Sequence, residues 1–430
     1  MRRIVSGLII ILAFTNCSTK LSEEQNRQLQ NAYSDRNYFE LDFLMSGIRF
    51  DNNNPDLILY KAVIDNAFNK PDESNVIINL LFERYPGYFN DTIIKDLYSR
   101  QFSNYFLLQD YKKAFASDSI IIAKYTAVCD SSELEMRNDD MALFRCISDA
   151  PVMQISVPPD SKIPLKRDLA GLLNVPVNLK GDTIDFVFDT GANISVIIES
   201  AARQYGVRLL DGKVRTGTST SMKVEGQMGM LDLNIGNIEI KNSAFLVLPD
   251  SDLTYANGAY VIRGIIGFPI MYALKELVFS DDKFLEIKNV PENPAERNLA
   301  FDGQNIIIKV VLQNDTLPFL FDSGNQTTNL GARYFNKYQP EITARCKKEN
   351  VLTGGAGGYE NAEAYILDSA KFMVGKSGIT LKSVRIYTND LYGFDRKYLY
   401  GNFGQDYINK FAEMKINFAS MNIQFSKEKQ

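Results

Sequence analysis

The apolar positions of this chain change their period near residue 150. From about Leu21 to Ala150 they recur at helical spacing, and the pattern predicts helices over 22–34, 55–69, 73–83, 90–105 and 109–125. Asp51-Asn52-Asn53-Asn54, Pro71-Asp72 and Pro86-Gly87 interrupt the run. Aromatic residues recur through it at Tyr38-Phe39, Phe82, Tyr85, Phe89, Tyr98 and Tyr105. At that spacing they read as a core stripe rather than a ligand groove. Helices of this length joined by short turns imply stacked helical hairpins, loosely similar to tetratricopeptide-type solenoids although no signature repeat is legible.

Pro151, Pro158, Pro159 and Pro164 mark the change of texture. Beyond them strand patterns dominate, at 175–179, 183–188, 224–235, 238–248, 306–312, 365–374 and 379–387. Short strands with Gly and Asn turns, such as Ile235-Gly236-Asn237, give an all-β texture. A chain of 430 residues exceeds one ordinary domain. The expected organisation is a leader at 1–16, an all-α helical-hairpin domain at 17–150, and an all-β bilobed region with lobes at 151–290 and 291–430.

Composition narrows the chemistry. Hydrophobic residues make up 45%, enough for real cores. A formal charge of −5 with no basic tract argues against nucleic acid as a partner. The chain contains no histidine, so hydrolytic mechanisms that use an imidazole base lose it, and a zinc site has few ligands to draw on. No metal or organic cofactor is expected.

Arg2-Arg3, the apolar run Ile4 through Phe14 and then Cys17-Ser18-Thr19-Lys20 resemble a bacterial lipoprotein signal peptide, in the relaxed form found in Bacteroides-like bacteria. Asn16 departs from the small residue usual before the cysteine. An eleven-residue run is too short to remain as a spanning helix. The resemblance implies lipidation at Cys17, a membrane anchor, and an extracytoplasmic location on the periplasmic or surface face, with the outer membrane as the expected membrane. Removing residues 1–16 takes the formal charge to −7. Outside the cytosol, Cys129 and Cys146 form either a disulfide or two buried thiols, with the reading leaning slightly to the bond. Cys346 reads as a free thiol, because no imidazole exists to activate it.

The β region repeats internally. Phe186-Val187-Phe188-Asp189-Thr190-Gly191 and Phe319-Leu320-Phe321-Asp322-Ser323-Gly324 each end an apolar strand in a carboxylate, a hydroxyl and a glycine, 133 residues apart. Gly264-Ile265-Ile266-Gly267 and Gly401-Asn402-Phe403-Gly404 follow, their last glycines 78 and 82 residues after the aspartates. A Gly-rich turn lies between in each copy, at 216–226 and 354–358, and an apolar ribbon closes each, at 277–287 and 414–425. One Asp-Thr/Ser-Gly is an ordinary turn sequence. Two copies with matching downstream elements are two halves of one architecture. Phe268-Pro269 and Tyr392-Gly393-Phe394 read as packing rather than pocket.

This order resembles the retropepsin and pepsin-like aspartic proteases, over about residues 165–426. Asp189-Thr190-Gly191-Ala192 and Ile265-Ile266-Gly267 match the family pattern fully. Asp322-Ser323-Gly324 matches, while Asn325 replaces the usual Ala or Thr and the polar Asn402 weakens the second supporting element. The resemblance implies a catalytic pair of Asp189 and Asp322 hydrolysing peptide bonds with one activated water. Thr190 and Ser323 would hydrogen-bond across the lobes, and Gly191 and Gly324 would permit close approach. Gly217, Thr218, Gly355 and Tyr359 are the candidate flap residues. Both aspartates lie on one chain, so dimerisation is not required. The partners implied are a peptide or protein substrate, the membrane through the anchor, and a protein partner at the helical domain, which would otherwise be an accessory that selects substrates. The competing reading, which Asn325 and Asn402 favour, is a catalytically weak or inactive protease-fold lipoprotein used for binding or as a scaffold.

Overall fold

The computed structural model describes residues 21–159, 161–217, 223–288, 291–294, 296–355, 358–389 and 397–429. Cys17 and the leader therefore lie outside the described residues, as do Thr218 and 392–394. Seven helices come first: α1 Glu23–Ser34, α2 Tyr38–Ser46, α3 Pro55–Ala67, α4 Pro71–Arg84, α5 Asp91–Leu107, α6 Tyr111–Lys124 and α7 Ser131–Ile147. Their starts are written in the sequence. Ser22 and Gln25 form a reciprocal capping box on α1, and Asn54 caps α3 ahead of Pro55. Asn90, Asp110 and Asp130 cap α5, α6 and α7 in the same way.

Two of these helices were not foreseen. The first half of α7 buries Glu133 and Arg137, a charged pair where an apolar stripe is the usual signal. The short α2 spreads its apolar residues around the helix: Tyr38, Phe39 and Leu41 are buried while Phe43 is exposed. The leaning toward a Cys129–Cys146 disulfide is also corrected, since both are free thiols, as is Cys346. Cys129 stands just before α7 and Cys146 near its far end, so the helix separates them by roughly 25 Å, far beyond disulfide reach.

The β region is two lobes and a shared floor. In lobe one a nine-stranded sheet carries Asp182–Phe188 near its centre, and in lobe two an eight-stranded sheet carries Asp315–Phe321 likewise. Both of these strands are buried toward their ends, where the Phe residues lie. The closing ribbons of the two lobes meet in a third, five-stranded sheet. There Glu276–Ser280 of lobe one pairs antiparallel with Phe411–Asn417 of lobe two, Leu277 opposite Ile416. That floor fixes the two lobes against each other.

The helical region docks on both lobes. Phe106 of α5 stacks on Phe268 of lobe one at 6.2 Å, and Phe268 meets Phe301 and Phe418 of lobe two at 5.3 and 5.9 Å. Beside this apolar junction, Arg36 and Tyr38 both reach the buried carboxylate of Asp302, at 3.0 and 2.6 Å. A buried carboxylate needs such partners to offset its lost hydration.

Candidate active site

Each aspartate sits at the end of a strand whose neighbour runs parallel to it. Gly264–Ile266 lies parallel to Asp182–Phe188 and antiparallel to Ser195–Ile198. Gly401–Phe403 lies parallel to Asp315–Phe321 and antiparallel to Asn329–Leu330. The Asp189 N–H then donates to Ile266 O at 3.1 Å, and the Asp322 N–H to Phe403 O at 3.0 Å. Tight packing explains the first glycine of each supporting element. A methyl at Gly264 would lie 2.4 Å from the Phe186 ring, and one at Gly401 would lie 2.1 Å from Asn329 O.

Thr190 and Ser323 join the two loops by four reciprocal bonds. The Thr190 N–H donates to Ser323 Oγ at 3.0 Å, and the Ser323 N–H donates to Thr190 Oγ1 at 2.8 Å. Each hydroxyl then donates onward, Thr190 Oγ1 to Phe321 O at 3.0 Å and Ser323 Oγ to Phe188 O at 2.9 Å. Both residues are buried, so the network replaces water completely for these groups. The carboxylates are brought face to face. A Cβ at Gly191 would sit 2.5 Å from Asp322 Oδ1, and one at Gly324 would sit 2.3 Å from Asp189 Cγ. The Gly191 and Gly324 N–H groups donate to Asp189 Oδ1 and Asp322 Oδ1 at 2.8 and 3.0 Å.

Several supporting residues escaped sequence reasoning. Ser195 Oγ accepts the Gly267 N–H and Thr328 Oγ1 accepts the Gly404 N–H, each at 3.0 Å. Both hydroxyls stand six residues after their aspartate, a signal that aligning the two copies would have exposed. Asn325 departs from the family pattern without altering the loop. Its backbone O accepts from Gln405 N at 2.8 Å as Ala192 O accepts from Phe268 N at 2.9 Å, while its side chain turns to Thr327 O. Asn402 is different, because its Nδ2 donates to Asp322 Oδ2 at 3.0 Å.

A cleft of about 910 Å³ opens over the pair. Gly217, Gly355 and Tyr359 line it together with Asp189 and Asp322. The hairpin of Lys347–Gly355 and Gly358–Val374 leans onto lobe one: Tyr255 donates its hydroxyl to Gly355 O at 3.3 Å and packs edge-on against Tyr359 at 6.2 Å. Burial, then the neighbouring Tyr359, pushes the Tyr255 hydroxyl up to about 12, so it remains a donor. The hairpin of Arg208–Gly217 and Lys223–Ile235 leans instead on α7, where Arg215 and Lys223 both pair with Glu135 and Asp139. Glu135, Met136 and Asp139 also line the cleft, so α7 forms part of its wall.

A family model described as aspartyl protease matches residues 175–270, which span Asp189-Thr190-Gly191 and Ile265-Ile266-Gly267. The match supports an aspartyl protease-like family for the chain, on lobe one. No curated protein matches the chain.

Proposed function

We propose that the protein is an aspartic endopeptidase in which Asp189 and Asp322 activate one water against a peptide bond. The observation that carries this reading is the reciprocal Thr190–Ser323 bonding, which seats each carboxylate over the other loop's glycine. Two carboxylates this close cannot both be charged at low cost, so the pair shares one proton. The ionised member takes a proton from water as the water oxygen bonds to the carbonyl carbon. The protonated member gives its proton to the carbonyl oxygen, which becomes the second hydroxyl of a tetrahedral diol. Collapse of the diol breaks the C–N bond, and the dyad protonates the departing amine. A rigid, water-excluding frame contributes by holding these groups ready before substrate arrives.

The same reading places the protein outside the cytosol, held by lipid on Cys17, with the helical domain as one wall of the substrate cleft. Among the described residues no helix is long and apolar enough to cross a membrane. Incorporation of a labelled lipid precursor into the native chain, and its loss in Cys17→Ala, tests the anchor. For the activity, the intact protein is incubated with a diverse peptide library from acidic to neutral pH. Discrete internal cuts are expected, blocked by a peptide whose scissile carbon is a tetrahedral hydroxyl-bearing mimic. An untouched library together with retained peptide binding would replace this reading with that of a binding protein on a protease fold.

A further inference from the structure

The strand that follows each catalytic loop lies parallel to a later strand, and both pairs border the cleft. In lobe one, Ser195–Ile198 runs beside Ile238–Leu248, with Val196 opposite Leu246. In lobe two, Asn329–Leu330 runs beside Ser377–Tyr387, with Asn329 opposite Arg385. Counting from the aspartates aligns these side chains one to one. Five and seven residues on, lobe one has Ile194 and Val196 where lobe two has Thr327 and Asn329. Across each pairing, Leu246 and Leu248 correspond to Arg385 and Tyr387. All eight residues line the cleft. The same four positions are aliphatic on one side, and on the other carry a hydroxyl, an amide, a guanidinium and a phenol.

Arg385 also differs from the other described cations on the cleft wall. Arg36, Arg100, Arg137 and Lys223 each hold a carboxylate, of Asp302, Asp96, Asp118 and Asp139 in turn. Arg385 pairs with no carboxylate among the described residues, and its Nη1 donates to Leu352 O at 3.2 Å. It is half-buried, so water hydrates the charge only in part. A guanidinium presents five donors in one plane, and a carboxylate can take two of them in parallel.

We infer that Arg385 determines specificity by taking a substrate carboxylate: the peptide lies across the aspartates with an aliphatic side chain against Ile194, Val196, Leu246 and Leu248, and a Glu or Asp side chain on Arg385. The inference rests on the peptide-hydrolysing reading above and names its substrate class. An aliphatic side chain gains by leaving water for the lobe-one wall, most of which is buried. A basic side chain on lobe two would meet a like charge, whereas an acidic one forms a charge-assisted pair. The two preferred residues therefore flank the scissile bond, one toward each lobe.

The test uses peptides capped at both ends, so that a side chain supplies the only carboxylate. Cuts by the parent should fall between an aliphatic residue and an acidic one. A Glu peptide should exceed its Gln twin in kcat/KM by about ten- to a hundredfold. Arg385→Gln should bring that ratio near one, and Arg385→Glu should turn the preference toward Lys. On the other side, Ile194→Thr, which installs the lobe-two residue, should lower the preference for Leu over Gln by about tenfold. An unchanged preference there would overturn the aliphatic seat. Equal Glu-to-Gln ratios in the parent and Arg385→Gln would overturn the carboxylate seat, as would discrimination seen only with a free C-terminus. A second measurement needs neither an arginine variant nor turnover. Calorimetric titration of Asp189→Asn should show the Glu peptide binding more tightly than its Gln twin by a similar factor, and equal affinities would contradict the inference. A parent that prefers the Glu peptide in binding yet cuts nothing would sink the hydrolytic reading and leave the carboxylate site standing. Cleavage with no preference for Glu would do the reverse.

Discussion

The residue after the supporting glycine is Phe268 in lobe one and Gln405 in lobe two, and the two are anchored by opposite physics. Phe268 is buried among Phe106, Phe301 and Phe418, so the lobe-one loop rests on an apolar junction with the helical region. Gln405 donates to Ser323 O at 2.7 Å and accepts from Arg167 of lobe one at 3.1 Å, so the lobe-two loop rests on a polar chain to lobe one. The hairpins at the cleft differ in parallel. One is pinned to α7 by exposed ion pairs, and the other reaches over to Tyr255. A duplicated loop thus keeps its backbone while its surroundings diverge. The two aspartates have matching seats and unequal neighbours.

The comparison breaks first at the glycines that the two lobes share. Gly191→Ala or Gly324→Ala forces a methyl into the opposite carboxylate, and cleavage should fall by about a hundredfold or more, since a misplacement of about 1 Å has that effect. A near-parental rate in either variant would mean the carboxylates are not seated over each other's glycines. The anchors give the next effect. Phe268→Ala empties a core position and should lower unfolding stability by about 3–5 kcal/mol. Gln405→Leu, which strands the Ser323 carbonyl, should cost about 1–3 kcal/mol in the same denaturant titration. Equal costs would erase the distinction between an apolar and a polar anchor.

The smallest effect belongs to the hairpin held by α7. Surface ion pairs are weak, so Glu135→Gln with Asp139→Asn should raise hydrogen exchange in Arg208–Gly217 only about threefold. High salt should mimic it. A hydrogen bond and the charge of Lys223 hold Glu135 below the usual glutamate range. Its contribution is therefore present above that range and is lost as pH falls through the lowered value. Exchange in this hairpin, corrected for its intrinsic rate, should accelerate on acidification in the parent and less so in the double variant. Identical pH responses in the two proteins would dismiss the latch.

Much of this was legible along the chain because its signals are local. Strands such as Lys223–Ile235 and Ile238–Leu248 show their apolar pattern directly, and the two Asp-Thr/Ser-Gly copies announce their own kinship. What was hidden depended on partners distant in sequence. Glu133 and Arg137 gave α7 no apolar stripe because each buries against the other. The floor sheet joins Leu277 to Ile416, a pairing that no local pattern encodes. Asn402 stood out as polar in an apolar place, but only the parallel register with Leu320 aims it at Asp322. Asn325 raised the same suspicion, yet its backbone O makes the bond that Ala192 O makes in lobe one.

The central claim is that the unequal lobes supply one shared site, and the most direct measurement is kcat for Asp189→Asn, Asp322→Asn and the double variant, each checked for parental circular dichroism. Residues that act as one unit are not additive. Each single substitution should abolish cleavage to the level of the double variant. If one single variant kept a near-parental rate, or if the two losses multiplied in the double, the lobes would not share a water and the account would fail.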